Sequence, residues 1–262
     1  MKVTLFTSNN HRHNYLINLL SNICDELWVV QECEKLSPEK NTDRYIKSKI
    51  IENYFKHVKE AENKIFREEY KDRNSKNTQT LSIPSGEINN LTLSSLENFL
   101  KSDIYVVFGS SYIKGNLINF LISQKSINIH AGVSPYYRGT DCNFWALYDN
   151  NPHLVGATIH MLSKGIDSGS MLYHAMSKIK TNPFEYTMST IKAAFHSVAE
   201  RIKDKSIFEI KPVVQNRKKE IRYSKKIEFN DQIVNEYFNK EINLNSKKFD
   251  NSLLKDPYFF EN

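Results

Sequence analysis

The chain has 262 residues, 40% of them hydrophobic and 25% charged, a composition that supports a buried core and excludes an intrinsically disordered chain. No apolar run approaches the roughly 20 residues of a bilayer span, and MKVTLFTSNNHRH turns polar too soon for a signal peptide, so a cytoplasmic protein without membrane contact is expected. The formal charge of +6 arises from lysines interleaved with acids, with no long basic block, which argues against a nucleic-acid partner and leaves room for small anionic ligands.

In chain order, KVTLFTS (2–8) reads as a buried strand, and behind it Tyr15, Leu16, Leu19 and Leu20 recur at helical spacing. DELWVVQEC (25–33) is a second strand, which begins an alternating α/β fold. From Thr42 to about Arg73 the apolar residues Ile46, Ile50, Tyr54, Val58, Ala61, Ile65 and Phe66 mark one face of a long charged helix. TLSIP (80–84) and DIYVVFGSS (103–111) bracket a short helix around Leu93 to Leu100, and the unbroken apolar run of the second suits a central parallel strand. A helix over 114–123 leads into SINIH (126–130), and FWALYDN (144–150) is a further helix. LVGATIHML (154–162) and SMLYHAMSKI (170–179) are two strands joined by SKGIDSG, followed by a helix from about Phe184 to Lys203. Residues 1–204 are expected to form the main domain. Residues 205–262 are expected to be a small extension, a β-hairpin over KPVVQNRKKEIRYSKKIEF and a polar tail.

Chemistry concentrates in NIHAGVSPYYRGTDCNFW (128–145). Strand alternation sends Asn128 and His130 to one face, at the carboxyl end of a strand, where ligands gather in an open α/β sheet. Downstream, Asp167 lies in a glycine-bracketed turn able to aim a carboxylate into a cleft. Amide, imidazole and carboxylate together suit acyl transfer. Asn128 and a protonated His130 would stabilise an oxyanion, a carboxylate would orient the imidazole and help move a proton, and an amine substrate would be its own nucleophile. His160, within an apolar strand, reads as a core histidine supporting the site. His11 and His13 have H-x-H spacing but no third ligand, so no metal is expected, and Cys24, Cys33 and Cys142 read as packing residues of a reducing compartment.

NIHAGVSPYYRG resembles the N-x-H-x-S-x-L-P-x-Y-R-G signature of 10-formyltetrahydrofolate-dependent formyltransferases, and GATIHMLSKGIDSGSML resembles their G-x-T-x-H and D-x-G signature. The resemblance spans about residues 1–200, with Gly132 where the family often has Ser and Ser134 where it often has Leu. It implies a Rossmann-like, mostly parallel sheet with Asn128, His130 and Asp167 as the catalytic trio. It implies 10-formyltetrahydrofolate as formyl donor, its pterin held by the backbone of Ser110, Ser111, Tyr112 and Ile113 and closed on the other side by Gly165, Ile166 and Asp167. His11 and Arg12, where a helix N-terminus attracts anions, and Tyr137 and Arg138 are candidate contacts for the acceptor, although Arg138 equally suits a structural salt bridge. PYYRG and Trp145 offer aromatic walls, or packing against the sheet.

The acceptor is approached by elimination. Glycinamide ribonucleotide formyltransferases carry a glycine- and serine-rich phosphate loop after the first strand, where this chain reads TSNNHRHNY without glycine. Methionyl-tRNA formyltransferases add a larger C-terminal domain than residues 205–262 supply, and a formyltetrahydrofolate hydrolase would carry a regulatory domain ahead of the first strand. The chain is similar to the bacterial N-formyltransferases acting on nucleotide-linked amino sugars of surface polysaccharides. That likeness implies a TDP- or GDP-linked 4-amino-4,6-dideoxyhexose as acceptor, O-antigen or lipopolysaccharide biosynthesis as setting, and a homodimer. A formyltransferase for glycinamide ribonucleotide or another small amine, a folate or nucleotide-sugar binding protein without catalysis, and an RNA-binding module are the rivals.

Overall fold

Strand β1 (Lys2–Ser8) is buried from Val3 to Thr7, because both of its faces are covered. Val3 and Leu5 join one apolar cluster with Tyr15, Leu16 and Leu20 of α1 (His11–Ser21), while Phe6 points into a second with Leu117, Ile118 and Leu121 of α3 (Gly115–Ser123). The same alternation recurs in β4 (Ile104–Phe108), where Ile104, Val106 and Phe108 face the first cluster and Tyr105 and Val107 the second. The computed structural model describes residues 1–33, 48–66, 76–244, 253–254 and 259–261.

With β2 (Glu26–Cys33), β3 (Thr78–Pro84), β5 (Ile127–His130), β7 (Ala157–Met161), β8 (Met171–Ser177) and β10 (Phe259–Glu261), these strands form an eight-stranded sheet in the order β10-β8-β7-β5-β4-β1-β2-β3. Pairing is parallel except where β7 lies between β5 and β8, running against both. The fold is therefore α/β with a mostly parallel sheet. Strand order reverses between β1 and β4, so the loops after β1 and β4 open a crevice at their carboxyl ends.

Helix α5 (Pro183–Lys203) packs on the sheet through Met188, Ile191, Ala194, Phe195 and Val198, and starts sharply. Asn182 caps it by accepting from the backbone N–H of Phe184 and Glu185, with Pro183 in the first turn. Helix α2 (Lys49–Phe66) buries Ile51, Tyr54, Ala61, Glu62 and Phe66. The sequence pattern placed Ile50 on that face, but Ile50 is exposed and Ile51 takes its place. The polar face also breaks, because Glu62 is buried as the partner of Arg12. The parts of that long helix expected over 42–47 and 67–73, Ile46 included, lie outside the described residues.

Two further expectations are corrected. Residues 93–100 form successive hydrogen-bonded turns, with Leu96 bonded to Leu93 and Leu100 to Leu96, and no helix is completed there. Residues 211–228 form no hairpin, since each half bonds to the main sheet region instead of to the other half. Val213 exchanges two backbone hydrogen bonds of 2.8 Å with Met171, and β9 (Arg222–Ser224) pairs in parallel with β6 (Tyr137–Gly139) inside the signature segment. Between them Asn216 accepts from the backbone of Lys218 and bends the chain into a short 3-10 turn. Helix α6 (Asp231–Asn239) then packs Val234 and Tyr237 against Tyr54, Phe144 and Trp145, the last two from α4 (Cys142–Tyr148). All three cysteines are free thiols, with Cys24 and Cys142 buried, and no described helix is long and apolar enough to cross a membrane.

The Arg12 guanidinium meets Glu62 at 2.7 Å, and the Arg12 backbone N–H donates to the same carboxylate at 2.9 Å, tying α1 to α2. Arg12→Met strands a buried carboxylate and is expected to cost roughly 3 kcal/mol of stability. The double change Arg12→Met with Glu62→Met should recover much of it. Urea unfolding of the three proteins checks this, and an unaltered midpoint in Arg12→Met would show that the pair does not hold the helices.

Candidate active site

The antiparallel step in the sheet builds the site. In register, Asn128 lies opposite His160, and His130 opposite Thr158. Asn128 and His130 thus share one face of β5, with His160 beside Asn128. After β7 the chain turns back through residues 162–170, and Asp167 adopts a left-handed backbone (φ +46) that returns its carboxylate to β5. Asp167 Oδ1 lies 3.2 Å from His130 Nδ1 and 3.8 Å from His160 Nε2, while the Gly139 N–H donates to Oδ2 at 3.3 Å.

The hydrogen bonds fix the tautomers. His160 Nδ1 lies 2.8 Å from the Met161 carbonyl and donates to it, so Nε2 accepts from Asn128 Nδ2 at 3.0 Å. The Asn128 amide keeps a second N–H for another acceptor. His130 Nδ1 faces a carboxylate and carries a proton, which leaves Nε2 as the basic nitrogen, 3.4 Å from the Tyr137 carbonyl. Burial pushes the His130 pKa down and outweighs the attraction of Asp167, so it sits below the ordinary imidazole value. For Asp167, burial pushes upward, but the His130 ring and the Gly139 N–H are among the groups that favour the charged form, and its carboxyl lies below the usual carboxylate value. The resting pair at neutral pH is a neutral imidazole beside a carboxylate.

The signature turn is fastened from beneath. Thr158 Oγ1 donates to the Gly132 carbonyl at 2.6 Å and accepts the Ser134 N–H at 2.8 Å. His174, pushed down to about 4 chiefly by burial, donates from Nε2 to the Ser134 carbonyl at 2.7 Å. Gly132 is required by close approach. A Cβ there would lie 2.5 Å from Cys142 Cβ and 2.6 Å from His130 Nε2.

The structure brings Asn128, His130, His160 and Asp167 together and sorts the other candidates. Ser110, Ser111 and Tyr112 follow β4 through Gly109 (φ +63), whose Cβ would lie 2.4 Å from the buried His13. Ser111 N–H donates at 2.5 Å to Glu32, a buried carboxylate that also accepts from Gly86, and Ile113 is a core side chain. Tyr112 donates its hydroxyl to the Lys164 carbonyl, so the segment after β4 touches the loop that carries Gly165, Ile166 and Asp167. His11 is exposed at the start of α1, whereas Arg12 is engaged with Glu62. Tyr137 presents no aromatic wall. Its ring is buried and its hydroxyl bonds Asp149 and Asn151, so only its carbonyl reaches the trio. Trp145 is likewise core. Arg138 takes the structural alternative, donating to the carbonyls of Ile166 (2.9 Å) and Asp167 (3.1 Å) and pairing with Glu220 at 2.9 Å. Gln215 and Glu220 were not legible as site residues, because a lone amide and a lone acid in a lysine-rich stretch carry no spacing signal. Among the described residues no group of His, Cys, Asp or Glu is placed to hold a metal.

Residues 83–207 match the formyl transferase family. A methionyl-tRNA formyltransferase of Prochlorococcus marinus subsp. pastoris is 24% identical over 181 residues, which are 66% of this chain and 55% of that protein, so the chain spans about half the length of this curated relative. In fold it is similar to a sugar N-formyltransferase from Shewanella sp FDAARGOS_354 (TM-score 0.52, 16% identity, covering 86% of this chain and 76% of that one). It is similar also to glycinamide ribonucleotide transformylase 1 from Symbiobacterium toebii (TM-score 0.52, 12% identity, covering 78% and 86%). Both share the α/β architecture at identities that speak to fold alone. The family match runs from the end of β3 through α5, across both signature segments, and there the chain is similar to the formyl transferases.

Proposed function

We propose that the protein transfers a formyl group from 10-formyltetrahydrofolate to the amine of a nucleotide-linked amino sugar. The observation that carries this reading is the contact of His130 Nδ1 with Asp167 at 3.2 Å, beside an Asn128 amide that His160 holds with one N–H to spare. A folate fits the surroundings. The segments around Tyr112 and Ile166 meet through the Tyr112 hydroxyl, and both side chains are about half exposed, leaving apolar surface for a flat heterocycle to cover.

When bound, the folate supplies a formyl carbon whose carbonyl oxygen gains negative charge as an amine attacks. Asn128 directs its remaining N–H at that oxygen. Neutral His130 takes a proton from the attacking nitrogen at Nε2, the Asp167 carboxylate at Nδ1 stabilises the resulting imidazolium, and as the bond from the formyl carbon to N10 breaks the imidazolium returns that proton to N10, so that tetrahydrofolate leaves. Burial thus favours His130 first as a proton acceptor, with a protonated, oxyanion-stabilising form arising only after that transfer.

The sugar acceptor rests on the loop after β1, where Asn9, Asn10 and His11 stand in place of a glycine-rich phosphate loop and lead directly into α1. A TDP- or GDP-4-amino-4,6-dideoxyhexose, a cytoplasmic role in surface polysaccharide assembly and a homodimer complete the proposal, with residues 1–204 as catalytic domain and 205–262 as its extension. Mass spectrometry of the protein mixed with 10-formyltetrahydrofolate and a panel of TDP- and GDP-linked 3-amino and 4-amino dideoxyhexoses, with glycinamide ribonucleotide included, is the direct test. Formylation of a sugar supports the reading, formylation of glycinamide ribonucleotide alone replaces the acceptor, and no formylation of any amine defeats it.

Two variants test the roles. Asn128→Ala should fold normally and lower kcat about a hundredfold or more, and near wild-type turnover would remove Asn128 from the mechanism. For Asp167→Asn the sign is fixed by electrostatics. The reaction needs neutral His130, so the rate rises with pH through its pKa, below the ordinary 6.5. An amide in place of the carboxylate no longer favours imidazolium. The acid limb of the kcat profile should therefore move to lower pH while kcat falls on the order of a hundredfold. A limb that stays in place or moves upward contradicts this assignment.

A further inference from the structure

Asp167 is a non-glycine residue in a left-handed conformation (φ +46) within an exposed loop, an arrangement that persists only where its surroundings hold it. Some of the restraints come from within the main domain, and others reach the turn from beyond residue 204. Gln215 Nε2 donates to the carbonyls of Asp167 and Gly169, each at 2.8 Å, and so spans the turn from one side to the other. Arg138 donates to the Ile166 and Asp167 carbonyls, and its third arm is fixed by Glu220 at 2.9 Å. The Asp167 carbonyl therefore accepts two donors, one from the extension and one from an arginine that the extension aims.

The stretch carrying Gln215 and Glu220 is anchored at both ends. Val213 exchanges hydrogen bonds with Met171 on one side, and Ile221 and Arg222 donate to the Tyr136 carbonyl at 2.9 and 3.0 Å on the other. At Gly169 a Cβ would lie 1.7 Å from the Met161 carbonyl oxygen, so the turn is also pinned where it rejoins the sheet. Backbone position then decides where the carboxylate points.

We propose that Gln215, together with the Glu220–Arg138 pair, is a positioning element of the extension that holds the Asp167 carboxylate against His130 Nδ1. The proposal rests on the formyl-transfer reading for its kinetic consequence, and on geometry alone for its electrostatic one. His130 is faced by Asp167 from the loop, His160 from β7, His174 from β8, Arg138 from β6 and Cys142 from α4. Of these, Asp167 is the group that Gln215 touches directly.

Gln215→Met keeps the length of the side chain and removes both donors. It is expected to lower kcat about tenfold or more while changing the acceptor KM less than about twofold. The NMR titration of the His130 ring, which needs no substrate, should move to lower pH as its carboxylate drifts away. Glu220→Gln, which keeps an acceptor for Arg138, should lose less activity than Glu220→Met. A folded Gln215→Met with wild-type kcat and an unmoved His130 titration overturns the proposal, as does a loss of thermal stability with neither change. If Gln215→Met does not fold, Gln215→Asn, too short to span both carbonyls, is read by the same two measurements. Should the wild-type protein formylate no amine, the functional reading fails, and the His130 titration still decides the clamp.

Discussion

The register between β5 and β7 is the constraint on which the site depends. Parallel pairing dominates the sheet, yet β7 runs against its neighbours and sets Asn128 opposite His160 and His130 opposite Thr158. That single reversal has three results. It lays an imidazole against an amide so that each fixes the other's orientation. It places a threonine hydroxyl under the signature turn. It sends the chain from β7 into a loop that comes back over the end of β5 instead of crossing the sheet. A shift of one residue would turn both functional side chains of β5 to the opposite face.

Burial supplies the second ingredient. His130 and His160 are almost wholly enclosed, and Asp167 lies under its own loop. In that setting a carboxylate 3.2 Å from an imidazole interacts far more strongly than in water, although burial still keeps the imidazole neutral at rest. His174 contributes by staying neutral. A cation at that depth, two strands away, would oppose the imidazolium proposed to form on His130, whereas a neutral ring donates one hydrogen bond and adds no charge.

The sequence made the architecture legible because parallel strands covered on both faces read as unbroken apolar runs, as in IYVVF of β4, and because Asn182 and Pro183 mark the start of α5 chemically. It made the trio legible because alternation fixes which side chains of β5 share a face and because the glycines around Asp167 mark a turn able to aim its carboxylate into a cleft, a reading the family signature then sharpened. What it hid were pairings between distant segments. Nothing local marks Arg12 as the partner of a buried Glu62, or says that the alternation around Val213 and Arg222 is satisfied by Met171 and β6 rather than by a hairpin. Tyr137 shows the same limit within the motif. Its place beside His130 is real, but the backbone carbonyl is the part that arrives there and the phenol points to Asp149.

The hydrogen bonds from Gln215 and from the Glu220–Arg138 pair to the Asp167 loop also have a meaning in time. Domains emerge from the ribosome N-terminus first. Every strand from β1 to β8 and the whole of α5 are synthesised before Gln215 appears, so until then the turn that carries Asp167 has Arg138, the Gly139 N–H and its own Ser163–Ser168 contact but neither of the Gln215 bonds. The carboxylate is locked only when residues 213–224 have been made and laid along Met171 and Tyr136. Completion of the site thus comes late in the synthesis of each molecule, and it waits on a segment whose one strand, β9, pairs outside the eight-stranded sheet.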